Sequence, residues 1–395
     1  MNIGLATDTF APRINGVVQS VDTFAREFRR LGHRVVVFAP AFPGPEPEET
    51  DVWRFPSRRP RNNPEDRLAK PLHPKSLLLL RRLPELKLDV VHTHTPFSLG
   101  LMLLRWARRH GVPTVHTYHT YFARYVEHYM RPLPQRTGQW LVRRVSRSFC
   151  NRHDLVVTPS RAMARILRRY RVTAPIRVIP TGVDLEEFQK GQQARGRAAW
   201  NLSDQDQVLL SLGRISGEKN LELLLEVVER LAPAHPRLRL VLAGSGPGLE
   251  AMQDEVRRRR LADRVVFAGY VRGQGRLDLY AAADVFVLSS KTETQGLVLN
   301  EAMAAGKPCV AVGAMGAREA LKHGGGELVP NQPAAFAAAV ERLLSDPAWY
   351  AAKQAEAKAQ VIQYSAAAKA GELLEIYRQL TEKKRPSAQP GTADT

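Results

Sequence analysis

The chain has 395 residues, 44% of them hydrophobic, with two cysteines and a formal net charge of +19 at pH 7. That length exceeds one ordinary hydrophobic core and predicts two domains. A disulfide-stapled scaffold is excluded, because Cys150 and Cys309 lie far apart inside apolar stretches and read as packing residues of a reducing compartment.

In chain order, the opening MNIGLATDTF has no basic leader. No apolar run approaches the roughly 18 residues of a membrane span, so a cytosolic chain is expected. Short β-branched apolar runs then alternate with longer helical stretches: IGLAT near the start, 34–39 (RVVVFA), 89–93 (DVVHT), 114–118 (TVHTY), 155–158 (LVVT) and 177–180 (RVIP). The series restarts with 208–212 (VLLSL), 238–243 (LRLVLA), 265–268 (VVFA), 285–288 (VFVL) and 309–312 (CVAV). Strands alternating with helices imply an α/β fold with parallel sheets covered on both faces, here twice over. The expected division is a first domain over 1–185, a second over 186–362, a helix over 363–382 returning to the first domain, and a disordered tail over 383–395. Two such sheets would leave a cleft at the carboxyl ends of their strands, where ligands bind in open α/β folds.

Charge is distributed unevenly between these halves. Residues 1–180 hold 31 Lys and Arg against 13 Asp and Glu, whereas residues 181–395 hold 27 against 26. The first half therefore suits a polyanion, either anionic lipid or nucleic acid. Two stretches carry much of it: 56–75 (PSRRPRNNPEDRLAKPLHPK), read as loop, and 136–152 (RTGQWLVRRVSRSFCNR), where Trp140, Leu141, Val145 and Phe149 recur at helical spacing among Arg143, Arg144 and Arg147. Such a helix can lie on an anionic membrane or simply pack its apolar stripe on a sheet. No aromatic-and-basic platform for single strands is evident, so nucleic acid is not expected as a partner.

The strongest local signal runs from Glu293 through Thr294, Gln295, Gly296, Leu297 and Val298 to Glu301, followed by AMAAGKP. It follows a strand and leads into a small-residue helix. The N–H groups of Gly296, Leu297 and Val298 would sit at that helix start, a ready anion site. Read alone, the two acids could equally be a helix-capping residue and a surface residue. Gly244-Ser245-Gly246-Pro247-Gly248 has glycines after a strand but lacks dinucleotide-fingerprint spacing and a matching acid. His92 and His94 share a strand face, yet no Cys or acid completes a tetrahedral set, so no metal is expected.

These residues carry a resemblance. The E-x7-E pattern with EAMAAGKP after it resembles the retaining glycosyltransferases of family 4, which have the GT-B fold: two Rossmann-like, doubly wound parallel-sheet domains facing a central cleft. Asn15-Gly16-Val17, Tyr118-His119-Thr120, Pro159-Ser160, Thr181-Gly182-Val183-Asp184, Gly213-Arg214 with Lys219, Ala243-Gly244-Ser245-Gly246 and Ala283-Asp284-Val285 fall in that family's order, so the resemblance spans nearly the whole chain. HTHTPFSLG, YHTYFARYVEHY and SKTETQGLV look most like bacterial diacylglycerol glucosyltransferases; phosphatidylinositol mannosyltransferases are a more distant likeness.

The resemblance implies a hexosyltransferase that takes a sugar, glucose by preference, from a UDP-sugar to a membrane lipid such as diacylglycerol, with no essential metal and a peripheral place at the inner face of the cell membrane. A soluble sugar, polyol or polysaccharide acceptor is the alternative. The leaving diphosphate gathers charge in the transition state, and Arg214 and Lys219 supply cations for it. Gly16 would let backbone approach the same group. By resemblance, Glu301 holds the ribose hydroxyls, Glu293 the hexose hydroxyls, and His119 stands beside the anomeric carbon. Val271 is placed at the base. Many family members have an aromatic residue where this chain has Gln295, whose amide could reach a sugar hydroxyl.

Overall fold

The structure, a computed structural model, describes residues 1–13, 15–43, 51–59, 67–124 and 134–384. The chain forms two compact units. Unit 1 comprises Met1–Pro159, Met163–Ile179 and Lys369–Thr395, and unit 2 comprises Ser160–Ala162 and Pro180–Ala368.

Unit 1 is built on β1 (Asn2–Ala6), β2 (Arg34–Pro40), β3 (Val52–Phe55), a small antiparallel pair β4 (Ser57–Arg58) and β5 (Leu68–Ala69), then β6 (Val90–Thr93), β7 (Thr114–Thr117), β8 (Leu155–Thr158) and β9 (Ile176–Val178). Its main sheet is parallel throughout, in the order β3-β2-β1-β6-β7-β8-β9. The central strands are buried on both faces, which is why VVVFA and VVHT read as continuous runs without alternation.

Unit 2 holds β10 (Gln207–Leu212), β11 (Leu238–Ala243), β12 (Val265–Gly269), β13 (Val285–Leu288), β14 (Cys309–Val312) and β15 (Gly326–Val329). These too are parallel, in the order β12-β11-β10-β13-β14-β15. In both sheets the first strand lies inside, and the chain winds outward on one side before returning to the other. The order therefore reverses between β1 and β6 in unit 1 and between β10 and β13 in unit 2.

Three departures from the sequence reading have local causes. The 56–75 stretch is not all loop: β4 and β5 pair within it, while 60–66 lie outside the described residues. Residues 180–185 belong with unit 2, because Val183 N–H donates to the Tyr364 carbonyl at 2.8 Å and a Cβ on Gly182 would lie 2.4 Å from Ala366 Cα. The helix Ala366–Lys384 packs Ala370, Leu373, Leu374 and Tyr377 into the unit 1 core beside Val21, Phe24 and Phe28. It carries Lys383 and Lys384, which the sequence reading placed in the tail, and Lys384 Nζ pairs with Asp154 at 2.8 Å. The rest of that tail lies outside the described residues.

Candidate active site

In unit 2 the chemistry-bearing residues gather at the β10/β13 reversal, the place where an open parallel sheet leaves room for a ligand. Gly213, Arg214 and Lys219 follow β10, and Glu293 follows β13. Lys219 Nζ donates to Glu293 Oε2 at 2.8 Å, with both side chains partly exposed. A shallow, open hollow lies here, lined by Gly213, Arg214, Lys219 and Ser289 among others. The Lys219 carbonyl accepts from Ser289 Oγ at 2.8 Å, and Asn220, held in the left-handed region at φ 56°, donates to the Ser289 carbonyl at 3.2 Å. The loop after one strand is thus fastened to the end of the other.

The glycines of GSGPG pack against that loop. A Cβ on Gly244 would lie 1.9 Å from the Gly213 carbonyl oxygen, and Ile215 N–H donates to the Ser245 carbonyl at 3.0 Å. Backbone packs on backbone, and the exposed Arg214 side chain is carried at a fixed place.

Gly296 precedes the helix Leu297–Ala304 at φ 81°, a conformation a Cβ would strain. The first-turn N–H groups, including those of Leu297 and Val298, have no acceptor within the helix, as at any helix start. The approach of Gly316 keeps the turn tight: its N–H donates to the Glu293 carbonyl at 2.8 Å, and a Cβ there would lie 2.6 Å from the Gln295 backbone. The Thr294 carbonyl accepts from Ser160 Oγ at 2.6 Å.

Two of the expected donor-binding residues have partners within the chain. The Gln295 amide was expected to reach a sugar hydroxyl. It is buried, donates from Nε2 to the Thr181 carbonyl at 2.8 Å and accepts from the Thr181 N–H at 3.0 Å, so it clamps the TGVD loop. Glu301, expected to meet two ribose hydroxyls, is 1% exposed. It accepts from Tyr280 Oη at 2.7 Å and from Arg276 at 3.3 Å. Burial, and then the charge of Glu301, push the Tyr280 hydroxyl well above its ordinary range. Val271 follows β12 and packs partly buried on the unit 2 core, beside Tyr270, whose ring carries the Arg272 guanidinium at 5.0 Å.

Unit 1 has its own arrangement at the β1/β6 reversal. Gly16 opens the helix Gly16–Arg30, and a Cβ there would meet nothing within 4 Å among the described residues, so packing against them does not demand glycine. Asn15 Oδ1 caps the same helix by accepting from Val17 and Val18 N–H groups, each at 3.0 Å. Asp8, which the sequence reading did not single out, accepts from Thr95 Oγ1 at 2.7 Å, Ser98 Oγ at 2.5 Å and the Leu99 N–H at 2.9 Å. It supplies from another loop the cap that Phe97 lacks at the start of the helix Ser98–Arg109.

His119 stands just past β7, and its Nε2 lies 3.0 Å from His94 Nδ1. His92 is held at both nitrogens, by Tyr377 Oη at 2.5 Å and Thr117 Oγ1 at 2.7 Å. His116 and His153 share Thr93 Oγ1, at 2.9 and 3.0 Å. Burial holds His119 down at about 3 and His153 at about 4. Burial, reinforced by neighbouring imidazoles, keeps His92, His94 and His116 well below the usual value. All five are neutral at pH 7. His128 lies outside the described residues. Among the described residues, no group of three or more His, Cys, Asp and Glu side chains is placed to hold a metal ion.

Residues 14–187 match the family described as Glycosyltransferase Family 4, and residues 192–365 match Glycosyl transferases group 1. The chain is 33% identical over 319 residues to the alpha-monoglucosyldiacylglycerol synthase of Streptococcus pneumoniae, covering 79% of this chain and 71% of that one. The chain belongs to glycosyltransferase family 4. The enzyme of the same name from Acholeplasma laidlawii is 28% identical over 327 residues, covering 78% of this family 4 chain and 80% of that one. A GDP-mannose-dependent alpha-mannosyltransferase of Mycolicibacterium smegmatis is 31% identical over 329 residues, covering 81% of each. Among solved structures, Anabaena HepE in complex with UDP-glucose superposes with a TM-score of 0.77 at 21% identity, covering 95% of this chain and 99% of that one. The likeness is one of fold, the two-unit GT-B architecture.

This family 4 chain therefore is a glycosyltransferase with a cation, a carboxylate and a helix start at one strand reversal. That is the equipment for a bound anion that becomes a leaving group: positive charge where charge grows, and an acceptor beside it for hydroxyls.

Proposed function

We propose that this enzyme transfers a hexose, glucose by preference, from a UDP-sugar to a membrane lipid of the diacylglycerol class, with retention at the anomeric carbon. The observation that carries the reading is the Lys219–Glu293 pair at the β10/β13 reversal. Without donor, the carboxylate holds the ammonium in place. With donor, the diphosphate competes for Lys219, Arg214 joins it, and Glu293 is left to accept the hexose hydroxyls. Arg214, Lys219 and the N–H groups of Gly296, Leu297 and Val298 supply the positive field, so no essential metal is required. Glu301 takes the ribose, and Val271 meets the base through its backbone. By the same resemblance, Gly16 is assigned to the phosphate and His119, a neutral donor, to the hexose.

The lipid acceptor is supported by the two relatives whose names describe synthesis of a glucosylated diacylglycerol. It is supported physically by the surface of unit 1. On the helix Gln135–Cys150 the side chains divide: Phe149 and Cys150 are buried, while Trp140 is 58% and Val145 51% exposed, and Arg143, Arg144 and Arg147 are exposed with them. Leu77 and Leu78 stand outward on the helix Pro74–Arg82, which ends in Arg81 and Arg82. Apolar side chains among arginines suit a headgroup boundary, and each cation near an anionic surface adds about 1 kcal/mol within a Debye length. We place the enzyme peripherally at the inner face of the cell membrane. Among the described residues, no helix is long and apolar enough to cross a membrane.

Co-sedimentation with vesicles of rising anionic-lipid fraction tests this. Binding should increase with anionic lipid, weaken with salt, and fall when Arg58, Arg59, Arg61, Arg143, Arg144 and Arg147 are neutralised together; Arg61 lies outside the described residues. Equal binding to neutral and anionic vesicles would reject electrostatic docking, and no binding to either would favour a soluble acceptor.

A further inference from the structure

Among the described residues, His94 has one polar partner: its Nδ1 lies 3.0 Å from His119 Nε2, and its buried Nε2 has no hydrogen-bond partner among them. One face of the ring is covered by His92, with centroids 4.3 Å apart and planes 28° apart. The His94 and His119 rings are 19° from parallel with centroids 5.2 Å apart. With a 3.0 Å nitrogen-to-nitrogen contact, that separation places the rings edge to edge in nearly one plane, so the contact is an in-plane hydrogen bond.

Between two neutral imidazoles, one nitrogen must donate and the other accept. If His119 Nε2 carried the proton, His94 would accept at Nδ1 and bear its own proton on Nε2, leaving a buried N–H without an acceptor. If His94 Nδ1 carries it, the unmatched atom is a lone pair. Buried orphan N–H groups are the rarer case, and an unmade donor bond in the interior carries its full desolvation cost. A charged pair is disfavoured in the same buried surroundings.

We propose that His94 is a positioning residue that fixes the tautomer of His119: His94 Nδ1–H donates to His119 Nε2, and the His119 proton is thereby held on Nδ1. His92, locked between Tyr377 and Thr117, keeps the His94 ring from turning away. The helix that brings Tyr377 into unit 1 thus supports an orientation set at the opposite end of the chain. This deepens the reading of His119 as a neutral donor to the hexose and rests on it for its effect on turnover. The tautomer itself does not depend on that reading.

The experiment uses the full chain labelled with ring-15N histidine, the His119 signals being identified by their loss in His119→Asn. The parent should show His119 protonated at Nδ1 and bare at Nε2. His94→Leu should give a mixed His119 tautomer and lower kcat by roughly ten- to a hundredfold with the KM for nucleotide sugar little changed. His94→Asn, whose amide N–H replaces the Nδ1 donor, should restore both the single tautomer and most of the turnover. A parent protonated at His119 Nε2, or a His119 spectrum unaltered in His94→Leu, overturns the proposal. A mixed tautomer with unimpaired turnover supports it and removes the role of His119 at the sugar instead.

Discussion

Arg214→Ala should weaken transfer by ~2–4 kcal/mol in transition-state terms, read as the fall in kcat/KM for the nucleotide sugar. The loop that carries Arg214 is fixed by backbone contacts through Gly244 and Ser245, so removing the guanidinium deletes charge without freeing the loop. Lys219→Ala should cost at least as much, because it also leaves Glu293 without its ammonium partner. In the double variant Lys219→Ala, Glu293→Gln, the two losses should be less than additive, since each single change already disrupts one unit. Glu293→Gln alone should spare binding of free UDP, which has no hexose to present to it. Near-normal turnover in Arg214→Ala would remove the cation pair from the mechanism.

Acid should unfold unit 1 at a pH where most proteins of this size are unaffected. His92, His94, His116, His119 and His153 are neutral when folded, with His119 near 3 and His153 near 4. In the unfolded chain each takes up a proton as pH falls through about 6.5. Their folded values are depressed, so the unfolded state binds more protons below 6.5. The stability is complete above that value and lost as pH falls towards the folded values. Five such groups give a limiting slope of about 7 kcal/mol per pH unit, against a total stability of about 5–15 kcal/mol. Thermal unfolding should show a transition that falls steeply between pH 6.5 and 5 and is accompanied by uptake of several protons. A midpoint unchanged between pH 7 and pH 5 would contradict the buried neutral cluster. The same logic predicts no break in kcat/KM near pH 6.5 from His119 itself.

Much of this arrangement could be read from the residues. Where a strand is buried on both faces, its run of Val, Ile and Leu is unmistakable, and the two series of such runs gave the two parallel sheets. The strands that escaped notice are edge strands. β3 reads VWRF, with Arg54 buried among the Ala11 and Pro40 carbonyls, to which its guanidinium donates, and the Phe10 ring; β15 reads GELV, with a glycine and an acid. Neither composition looks like a core strand until its neighbours are known.

The site divides similarly. Glu293, Gly296 and Glu301 share one short segment whose turn and helix are local events, so their grouping was legible. Lys219 and Glu293 are 74 residues apart, and only the order of strands brings them together. Gln295 and Thr181 are separated by 114 residues, and nothing near Gln295 in the chain announces that its amide is committed to a distant backbone. Asp8 and His94 are of the same kind. Their tasks lie in loops that follow different strands, and a local pattern shows only an acid after a strand and a histidine on one.

Transfer of a hexose from a nucleotide diphosphate sugar to a membrane lipid can be measured outright. The most direct measurement is a panel of UDP- and GDP-sugars incubated with the full chain and diacylglycerol-containing anionic vesicles, with released nucleotide diphosphate and glycolipid product quantified together. Release is expected from a UDP-hexose, UDP-glucose foremost, requiring the lipid and matched by glycolipid formed, in chelator as well as without it. Release that proceeds equally with a soluble sugar acceptor and no lipid, or that requires an added divalent cation, would contradict it.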